Sequence, residues 1–301
     1  VWATPAPGGG RLGFPEARPA FQGILPPAIG PLGETLAQYD LVLVAGSSVF
    51  PYYPNIPGPL LAEGTALVAI TSDPDEATRA PMGDAIVADV GRTLAALVQA
   101  VGDADRPPPP ARPAPEPTED SDPLNPSAVH ATLAEVFPED GIVVLESPSS
   151  TLALRNRLRL SRPGSYYFGA GGGLGFGLAA AIGVQLAQPG RPVVCVLGEG
   201  SAQYAISGFW TAAAYGVPVT FLVLRNEEYA ILKWFAGLES VTGAPGLDLP
   251  ALETGALAAA YGVRSRRVDG GEELRDALRA ALASEAPELV EVKVTPGMAL
   301  A

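Results

Sequence analysis

Two short apolar runs with a helix-like stretch between them constrain the fold of this chain more than any other feature. The first run is Val193–Leu197, which is followed by the turn 198–200, and the second run ends at Asn226. Short Val/Leu-rich runs bounded by Gly, Pro and charge are typical of buried parallel strands. Apolar residues within 202–215 recur three or four positions apart, which predicts a helix. The unit is therefore strand, turn, helix, strand, with a right-handed crossover.

Polar residues stand at the end of both predicted strands. Because the carboxyl ends of adjacent parallel strands meet at one sheet edge, Glu199 and Asn226 can converge on one cation. The Gly198-Glu199-Gly200 turn adds backbone N–H groups and a helix N-terminus, which favour phosphate. Oxygen ligands beside a phosphate suit Mg²⁺ or Ca²⁺ better than zinc. A Gly-x-Gly alone indicates only an ordinary turn, and it is the second strand with Asn226 that favours a metal-diphosphate site.

Further motifs extend the pattern along the chain. They are Gly198–Ser201, Arg225–Tyr229, Ser165–Phe168, Gly171–Phe176, Ala180–Ala187, Lys233–Gly237, Pro245–Asp248 and Ala80–Asp89. In this order they resemble the thiamin-diphosphate-dependent 2-oxo acid decarboxylases, in particular benzoylformate decarboxylases. The resemblance implies an α/β fold made of parallel-sheet sandwich domains of the thiamin-diphosphate-enzyme type. It also implies decarboxylation of a 2-oxo acid to an aldehyde and CO₂, with the cofactor as electron sink.

The same resemblance implies a role for each position of the site. The Mg²⁺ ligands are implied to be Glu199, the Asn226 side chain and the main-chain carbonyl of Glu228. Contacts with thiamin diphosphate are implied for Ser149, Gly172, Leu174, Gly198, Gly200, Ser201 and Tyr229. Gly172 matches the residue whose carbonyl holds the aminopyrimidine amine, and Leu174 matches the apolar residue that bends the cofactor. The substrate pocket is implied at Pro148, Phe168, Ile231, Leu232 and Phe235.

Several residues depart from the family pattern. Glu199 replaces the more usual Asp and is one methylene longer, so the more permissive Ca²⁺ or Mn²⁺ is an alternative to Mg²⁺. Glu227 and Glu228 replace small neutral residues, and we expect their side chains to point to water. Tyr53 stands at the position of a proton-transferring histidine. A phenol has a pKa of about 10, far from the neutral value that suits a general acid-base, so Tyr53 is a catalytic candidate of doubtful fit and otherwise a packing aromatic.

The predicted pocket helix carries a further departure. Ile231 is bulkier than its family counterpart and argues for a smaller or aliphatic acyl group. Spacing places Ile231, Leu232 and Phe235 on one helical face, which is also compatible with ordinary core packing. His130 is the only histidine, so a Ser-His-Asp triad at the cofactor site is excluded; we expect it to be exposed at the start of a helix. Cys195 is expected to be a small core residue.

Length and composition predict two domains. A Pro-rich linker at 106–126 separates a middle domain at 1–105, incomplete at its N-terminus by the family resemblance, from a thiamin-diphosphate domain at 127–301. By the same resemblance an N-terminal pyrimidine domain is absent, so we expect this chain alone to be inactive. Further predicted elements are buried strands at Leu41–Gly46 and Ala66–Ile70, a helix at Thr93–Val101 and a final strand at Leu289–Val294.

Charge and cysteine content limit the partners. A net charge of −13 argues against nucleic-acid or anionic-membrane binding. One cysteine cannot form a disulfide within the chain, so a reducing cytoplasm is the default expectation. No apolar stretch has the length of a membrane span. The family resemblance implies a homodimer or homotetramer. The alternatives to a decarboxylase are a carboligase or lyase of 2-hydroxy ketones, and a non-catalytic family member.

Overall fold

The computed structural model of the chain describes residues 1–5, 10–49, 54–103, 107, 109–118, 121–169, 171–250 and 252–300. Residue contacts divide the chain into two compact units. The N-terminal unit comprises Val1–Gly9 and Pro19–Arg112, and the C-terminal unit comprises Gly10–Arg18 and Pro113–Ala301. The change of unit at 112–113 falls within the predicted linker, while the inclusion of 10–18 in the C-terminal unit was not indicated by the sequence. The domain bounds given above stay a prediction.

The N-terminal unit contains two small parallel sheets. Strand β1 (Trp2–Ala3) pairs with β2 (Gly23–Ile24), and β3 (Leu41–Ala45), β4 (Ala66–Thr71) and β5 (Asp84–Val87) form a second sheet in that order. The helices are α1 (Ile29–Leu36), α2 (Pro74–Arg79) and α3 (Val90–Ala100). Helix α3 begins earlier than the predicted Thr93, because the Asp89 side chain accepts the Arg92 N–H at 2.8 Å and caps the helix.

The two predicted buried strands of this unit differ. Strand β4 is buried, with Ile70 only 1% exposed. The prediction that Leu41–Gly46 is buried is wrong, because Leu41 is 54% and Leu43 is 42% exposed. Alternate residues of a strand point to opposite faces. Val42 and Val44 pack against the cluster that α1 helps to form, whereas the opposite face of β3 is uncovered among the described residues.

The C-terminal unit is built on six strands that all pair in parallel. They are β6 (Ile142–Glu146), β7 (Tyr166–Phe168), β8 (Val193–Gly198), β9 (Val219–Arg225), β10 (Arg264–Val268) and β11 (Glu288–Lys293). Their order across the sheet is β7-β6-β8-β9-β11-β10. The direction of strand succession therefore reverses between β6 and β8, and such a switch point at the carboxyl ends of strands is where open α/β sheets bind ligands.

Helices cover both faces of this sheet. They are α4 (Pro126–Val136), α5 (Thr151–Arg157), α6 (Gly177–Ala187), α7 (Glu199–Gln203), α8 (Gly208–Ala214), α9 (Ala230–Leu238), α10 (Thr254–Ala260) and α11 (Gly271–Leu282), with a 3₁₀ turn at Pro148–Ser150. Residues of α4, α5 and α11 share one apolar cluster with the sheet, and residues of α6, α8 and α10 share the other. The predicted α/β class with parallel sheets is confirmed. Cys195 is fully buried within β8, as expected.

The helix predicted over 202–215 is divided into α7 and α8. Between them the chain tightens, because Gly208 N–H bonds to the Ala205 carbonyl and Phe209 N–H to the Ile206 carbonyl, three residues back. A β-carbon added at Gly208 would come within 2.2 Å of Leu178 on α6. The close approach of α6 and α8, which a pattern of apolar residues does not reveal, accompanies the break.

Segment 10–18 is held to the C-terminal unit by a buried ion pair. Glu16 is 2% exposed and pairs with Arg155 of α5, while its second oxygen accepts the Leu160 N–H at 3.1 Å. The Arg155 guanidinium also lies over the Tyr166 ring, 4.1 Å from its centroid. Removing either partner of such a buried pair would leave an uncompensated charge. Glu16 therefore fixes the position of the segment through its bonds to Arg155 and to the Leu160 N–H.

Candidate functional site

The predicted ligand residues lie along the carboxyl edge of the large sheet. Glu199 follows β8 and Asn226 follows β9, and the strand register places Gly198 beside Leu224. On the other side of β8, Glu146 ends β6 and lies beside Leu197. These polar residues therefore stand next to the switch point between β6 and β8. Tyr53, the catalytic candidate, lies outside the described residues.

Glu199 joins the end of β8 to the loop after β9. Its side chain is buried, and Oε1 accepts the Glu227 N–H at 2.6 Å. Burial raises the pKa of Glu199 to about 7, although backbone N–H groups and Arg225 act in the opposite direction. A buried carboxyl group with a raised pKa gains most from a nearby cation, because a positive charge stabilises its ionised form.

Glu227 holds the loop in an unusual backbone conformation. Its φ of 61° lies in the left-handed region that disfavours side chains with a β-carbon. The N–H of Glu227 donates to Glu199, and its carbonyl accepts the Leu249 N–H at 2.8 Å. Its carboxylate is 43% exposed and lies 3.6 Å from Arg225 and 3.7 Å from Lys293. The loop is therefore pinned through its main chain on two sides.

Glu228 does not point to water, so the expectation for its side chain is wrong. The side chain is only 11% exposed, and Oε2 pairs with Lys233 Nζ at 2.5 Å. Oε1 accepts the Gly297 N–H at 2.7 Å. The physical reason is that Lys233 and the Gly297 N–H bond to the two oxygens of the carboxylate, so the carboxylate has hydrogen-bond partners without water. For Glu227 the expectation holds in part, since that side chain combines exposure with two long ion pairs.

The three predicted metal ligands are brought together by this loop. Asn226 Oδ1 accepts the Glu228 N–H at 3.2 Å, and Glu199 bonds to the residue between them. A carboxylate, an amide oxygen and a main-chain carbonyl are hard oxygen donors of the kind that Mg²⁺ and Ca²⁺ prefer. Over the described part of the chain, no group of three or more His, Cys, Asp or Glu residues could hold a metal. The three proposed ligands do not form such a group, because Glu199 alone contributes a side chain of these four types. Asn226 contributes an amide, and Glu228 contributes its main-chain carbonyl.

Four of the predicted cofactor residues lie at the start of α7 and beside it: Gly198, Gly200, Ser201 and Tyr229. A β-carbon at Gly200 would lie 2.7 Å from side-chain atoms of both Tyr229 and Leu249, so any other residue there would require these side chains to move. Gly198 caps α7, and Ser201 is buried in its first turn. Tyr229 follows the loop, and its N–H donates to the Leu247 carbonyl at 2.8 Å. The glycines thus allow the start of α7 to pack directly against the loop that carries Asn226 and Glu228.

The glycine-rich turn before α6 is anchored by Glu146, which the sequence analysis missed. Glu146 Oε1 accepts the Gly175 N–H at 2.7 Å, and Oε2 accepts the Gly177 N–H. Burial raises the pKa of Glu146, while the same N–H groups act against the rise. Gly172, with a φ of 71°, and Leu174 lie on this turn. An acidic residue ending an otherwise apolar strand was the available signal.

A buried histidine supports the turn that contains Pro148 and Ser149. His130 is fully buried, so the expectation of an exposed histidine is wrong. Its Nε2 lies 3.0 Å from Ser150 Oγ, which in turn lies 2.9 Å from Ser147 Oγ. Burial, with a contribution from Arg157, lowers the pKa of His130 to about 3. His130 is therefore a neutral residue that packs behind the turn because α4 and α5 lie against each other there.

The predicted pocket helix α9 presents apolar side chains outside the core. Ile231 and Phe235 are half-buried, Leu232 is 49% exposed, and none of the three belongs to the apolar clusters of the unit. The core-packing alternative therefore fails for these residues. Helix α9 also lies next to the turn of Pro148. Phe168, by contrast, is 8% exposed and packs within the core cluster.

Several known proteins are similar to this chain in sequence and in fold. Residues 149–292 match the family described as thiamine pyrophosphate enzyme, C-terminal TPP binding domain. A benzoylformate decarboxylase of Pseudomonas aeruginosa is 46% identical over 288 residues, which are 95% of this chain and 54% of that protein. A thiamine diphosphate-dependent 4-hydroxybenzoylformate decarboxylase of Rhodococcus jostii is 41% identical with a TM-score of 0.94, covering 100% of this chain and 56% of that one. A benzoylformate decarboxylase of Polynucleobacter necessarius is 37% identical with a TM-score of 0.95, covering 99% and 57%.

The chain therefore belongs to the family of thiamin-diphosphate enzymes. Within that family it is similar to benzoylformate decarboxylases, as the sequence motifs indicated. The chain spans about half the length of the relatives that it matches. In the part of the chain that the structure describes, the helices are too short or too polar to cross a membrane.

Proposed function

We propose that this chain supplies the metal- and diphosphate-binding part of a thiamin-diphosphate-dependent 2-oxo acid decarboxylase. The observation that carries the proposal is the 2.6 Å hydrogen bond from the Glu227 N–H to buried Glu199. It brings the end of β8 and the loop after β9 together at one edge of the sheet. The similarity to benzoylformate decarboxylases supports the reaction class.

In this proposal Glu199, the Asn226 side chain and the Glu228 carbonyl hold Mg²⁺, with Ca²⁺ or Mn²⁺ as alternatives. The fit is supported by their oxygen chemistry and by the raised pKa of Glu199, which a cation would reverse. The contacts with thiamin diphosphate as a whole are assigned to residues beside this loop and on the two neighbouring turns: Ser149, Gly172, Leu174, Gly198, Gly200, Ser201 and Tyr229. When bound, thiamin diphosphate supplies the electron sink for decarboxylation.

The substrate pocket is assigned to the apolar side of α9 and the neighbouring turn. Ile231, Leu232 and Phe235 stand outside the apolar core next to Pro148, which supports a contact with an acyl group. Phe168 packs within the apolar core, so in this proposal it supports the wall of the pocket from the core side. The acyl group is aromatic as in benzoylformate, or it is smaller or aliphatic, since Ile231 adds bulk. Tyr53 stays a proton-transfer candidate on sequence grounds alone.

The proposal includes three features of the whole protein. By the family resemblance, the chain acts with an N-terminal pyrimidine domain that provides the remaining catalytic groups. It assembles as a homodimer or homotetramer. The single cysteine and the acidic charge agree with a cytoplasmic enzyme that binds neither nucleic acid nor membrane.

The test compares binding and turnover. Thiamin diphosphate with Mg²⁺ should raise the thermal midpoint of the C-terminal unit, because a ligand that binds only the folded state stabilises it. Joined to a pyrimidine domain, the protein should release CO₂ from benzoylformate or a smaller 2-oxo acid only when both cofactor and metal are present. Addition of an acceptor aldehyde then separates a decarboxylase from a carboligase. A midpoint of the protein joined to its pyrimidine domain that saturating cofactor and metal leave unchanged would favour a non-catalytic family member.

A further inference from the structure

The loop that carries two of the proposed metal ligands is tied to a second segment by main-chain pairing. Glu228 forms an isolated antiparallel bridge with Asp248. On either side of it, the Tyr229 N–H donates to the Leu247 carbonyl and the Leu249 N–H donates to the Glu227 carbonyl, both at 2.8 Å. The conformation of Glu228 therefore depends on what holds these two segments together.

One lysine joins both segments. Lys233, on the first turn of α9, lies 2.5 Å from Glu228 Oε2 and 2.6 Å from Asp248 Oδ1. Glu228 is 11% exposed, so its charge is poorly screened by solvent, whereas Asp248 is 81% exposed. The second oxygen of Glu228 accepts the Gly297 N–H at 2.7 Å. The ammonium of Lys233 is thus the cation that directly contacts the Glu228 carboxylate.

This contact resolves a conflict of charge. A carboxylate at position 228 stands beside the region assigned to a diphosphate, and like charges at short range in a poorly solvated site repel strongly. Glu228 also belongs to the loop whose carbonyl is assigned to the metal. An unpaired Glu228 would have to turn toward solvent, and that movement would displace the main chain of the same residue.

We propose that Lys233 is a positioning residue for cofactor binding: it neutralises Glu228 and holds the loop so that thiamin diphosphate and Mg²⁺ can bind. The inference rests on the proposed function. It makes the acidic residue at 228 and the lysine at 233 an interdependent pair. Lys233 acts through Glu228 and needs no contact with the cofactor.

The experiment measures the affinity of the chain, joined to a pyrimidine domain as in the proposed function, for thiamin diphosphate with Mg²⁺ by titration calorimetry, beside the thermal midpoint without ligands. Lys233→Met keeps the length of the side chain and removes its charge, and we expect affinity to fall about tenfold at low salt. Lys233→Arg should stay within about threefold of the wild type. Glu228→Gln combined with Lys233→Met should recover most of the lost affinity, because no poorly solvated charge is then left unpaired; Asp248 also loses Lys233 but is 81% exposed to solvent. Arg275→Met, which removes the exposed partner of Glu135, is the matched control for the change in net charge.

The outcomes separate the inference from the proposed function. Two results support the pairing of Glu228 with Lys233. The double variant recovers cofactor affinity, and the loss of affinity in Lys233→Met becomes smaller at high salt. A double variant that binds as weakly as Lys233→Met, or a Lys233→Met that binds as the wild type, overturns it while leaving the proposed function intact. Absence of binding by the wild type, while its folded midpoint is normal, overturns both.

Discussion

Two buried carboxylates stand at neighbouring strand ends of the C-terminal unit and do different work. Glu146, at the end of β6, uses both oxygens to accept N–H groups of the glycine-rich turn. Glu199, after β8, accepts the Glu227 N–H through Oε1. Burial raises the pKa of both. Main-chain N–H groups act on both carboxylates, so the difference lies in what they join: Glu146 bonds to one glycine-rich turn, whereas Glu199 bonds to the loop that carries the Asn226 amide, where oxygen donors suited to a cation gather.

Removal of the Glu199 carboxylate should cause the largest loss of cofactor affinity. A small loss would mean that Glu199 and Glu146 do not differ in function. We expect Glu199→Ala to weaken Mg²⁺-dependent binding of thiamin diphosphate by about 100-fold or more, because loss of a direct ligand exceeds the 10–100-fold typical of its supporting groups. Titration calorimetry measures the change. Glu199→Asp, which restores the residue more usual in the family, is the control and should retain binding. Unchanged affinity in Glu199→Ala would remove Glu199 from the metal site.

Replacement of Glu146 should mainly affect stability. Glu146→Ala leaves the Gly175 and Gly177 N–H groups without their acceptor, and we expect a loss of about 2–4 kcal/mol in the free energy of unfolding. Glu146→Gln keeps one acceptor oxygen and should lose about half as much. Denaturant unfolding, followed by the signal of the C-terminal unit, gives these values. A loss of cofactor affinity in Glu146→Gln without a loss of stability would show that the two carboxylates share one role.

His130 gives a pH test of the turn that follows β6. Its pKa is lowered to about 3, so between pH 6.5 and 3 the unfolded chain binds a proton that the folded chain does not. The contribution of His130 to the free energy of unfolding is therefore retained above pH 6.5. It falls as pH decreases, by about 2 kcal/mol between pH 6.5 and 5. The raised pKa values of Glu146 and Glu199 act in the opposite direction, since they favour folding at lower pH.

The contribution of His130 is isolated by comparing the protein with His130→Gln. The difference between their thermal midpoints should shrink or reverse as pH decreases from 7 to 5. The Gln amide is not protonated in this range and reaches the position of Nε2, which lies 3.0 Å from Ser150 Oγ, so Gln is the matched control for the hydrogen bond. A difference that does not change with pH would mean that His130 is solvated or charged in the folded state.

Glu227→Gly should have the smallest effect. Relief of the left-handed backbone favours the variant by about 1–2 kcal/mol, and the added freedom of glycine in the unfolded chain offsets about 0.5–1 kcal/mol of this. We expect a net gain of about 0.5 kcal/mol in the free energy of unfolding. Glu227→Ala, which removes the same carboxylate but keeps the β-carbon, should show no gain. An Ala variant more stable than the Gly variant would mean that this backbone conformation is not strained.

Cofactor chemistry was easier to predict than the supporting structure. Glu199 and Asn226 were predicted as metal ligands from residue type and strand-end position, and Glu228 from the family resemblance; the similarity to known enzymes confirmed the family. Glu146, Lys233 and His130 were missed or misread. Their roles depend on groups far along the chain, such as Gly177 for Glu146, which no local pattern indicates.

The sequence by itself determined the parallel α/β architecture, the family and the edge of the sheet where the polar residues gather. Apolar runs and glycines indicate the architecture and the sheet edge, because strand burial and turn geometry are local requirements, and the family follows from the resemblance of the motifs. Only the tertiary structure decided which turn or loop each of Glu146 and Glu199 bonds to, that Glu228 is paired with Lys233, and that His130 is buried and neutral. These depend on long-range contacts and on burial, which set both hydrogen bonding and protonation.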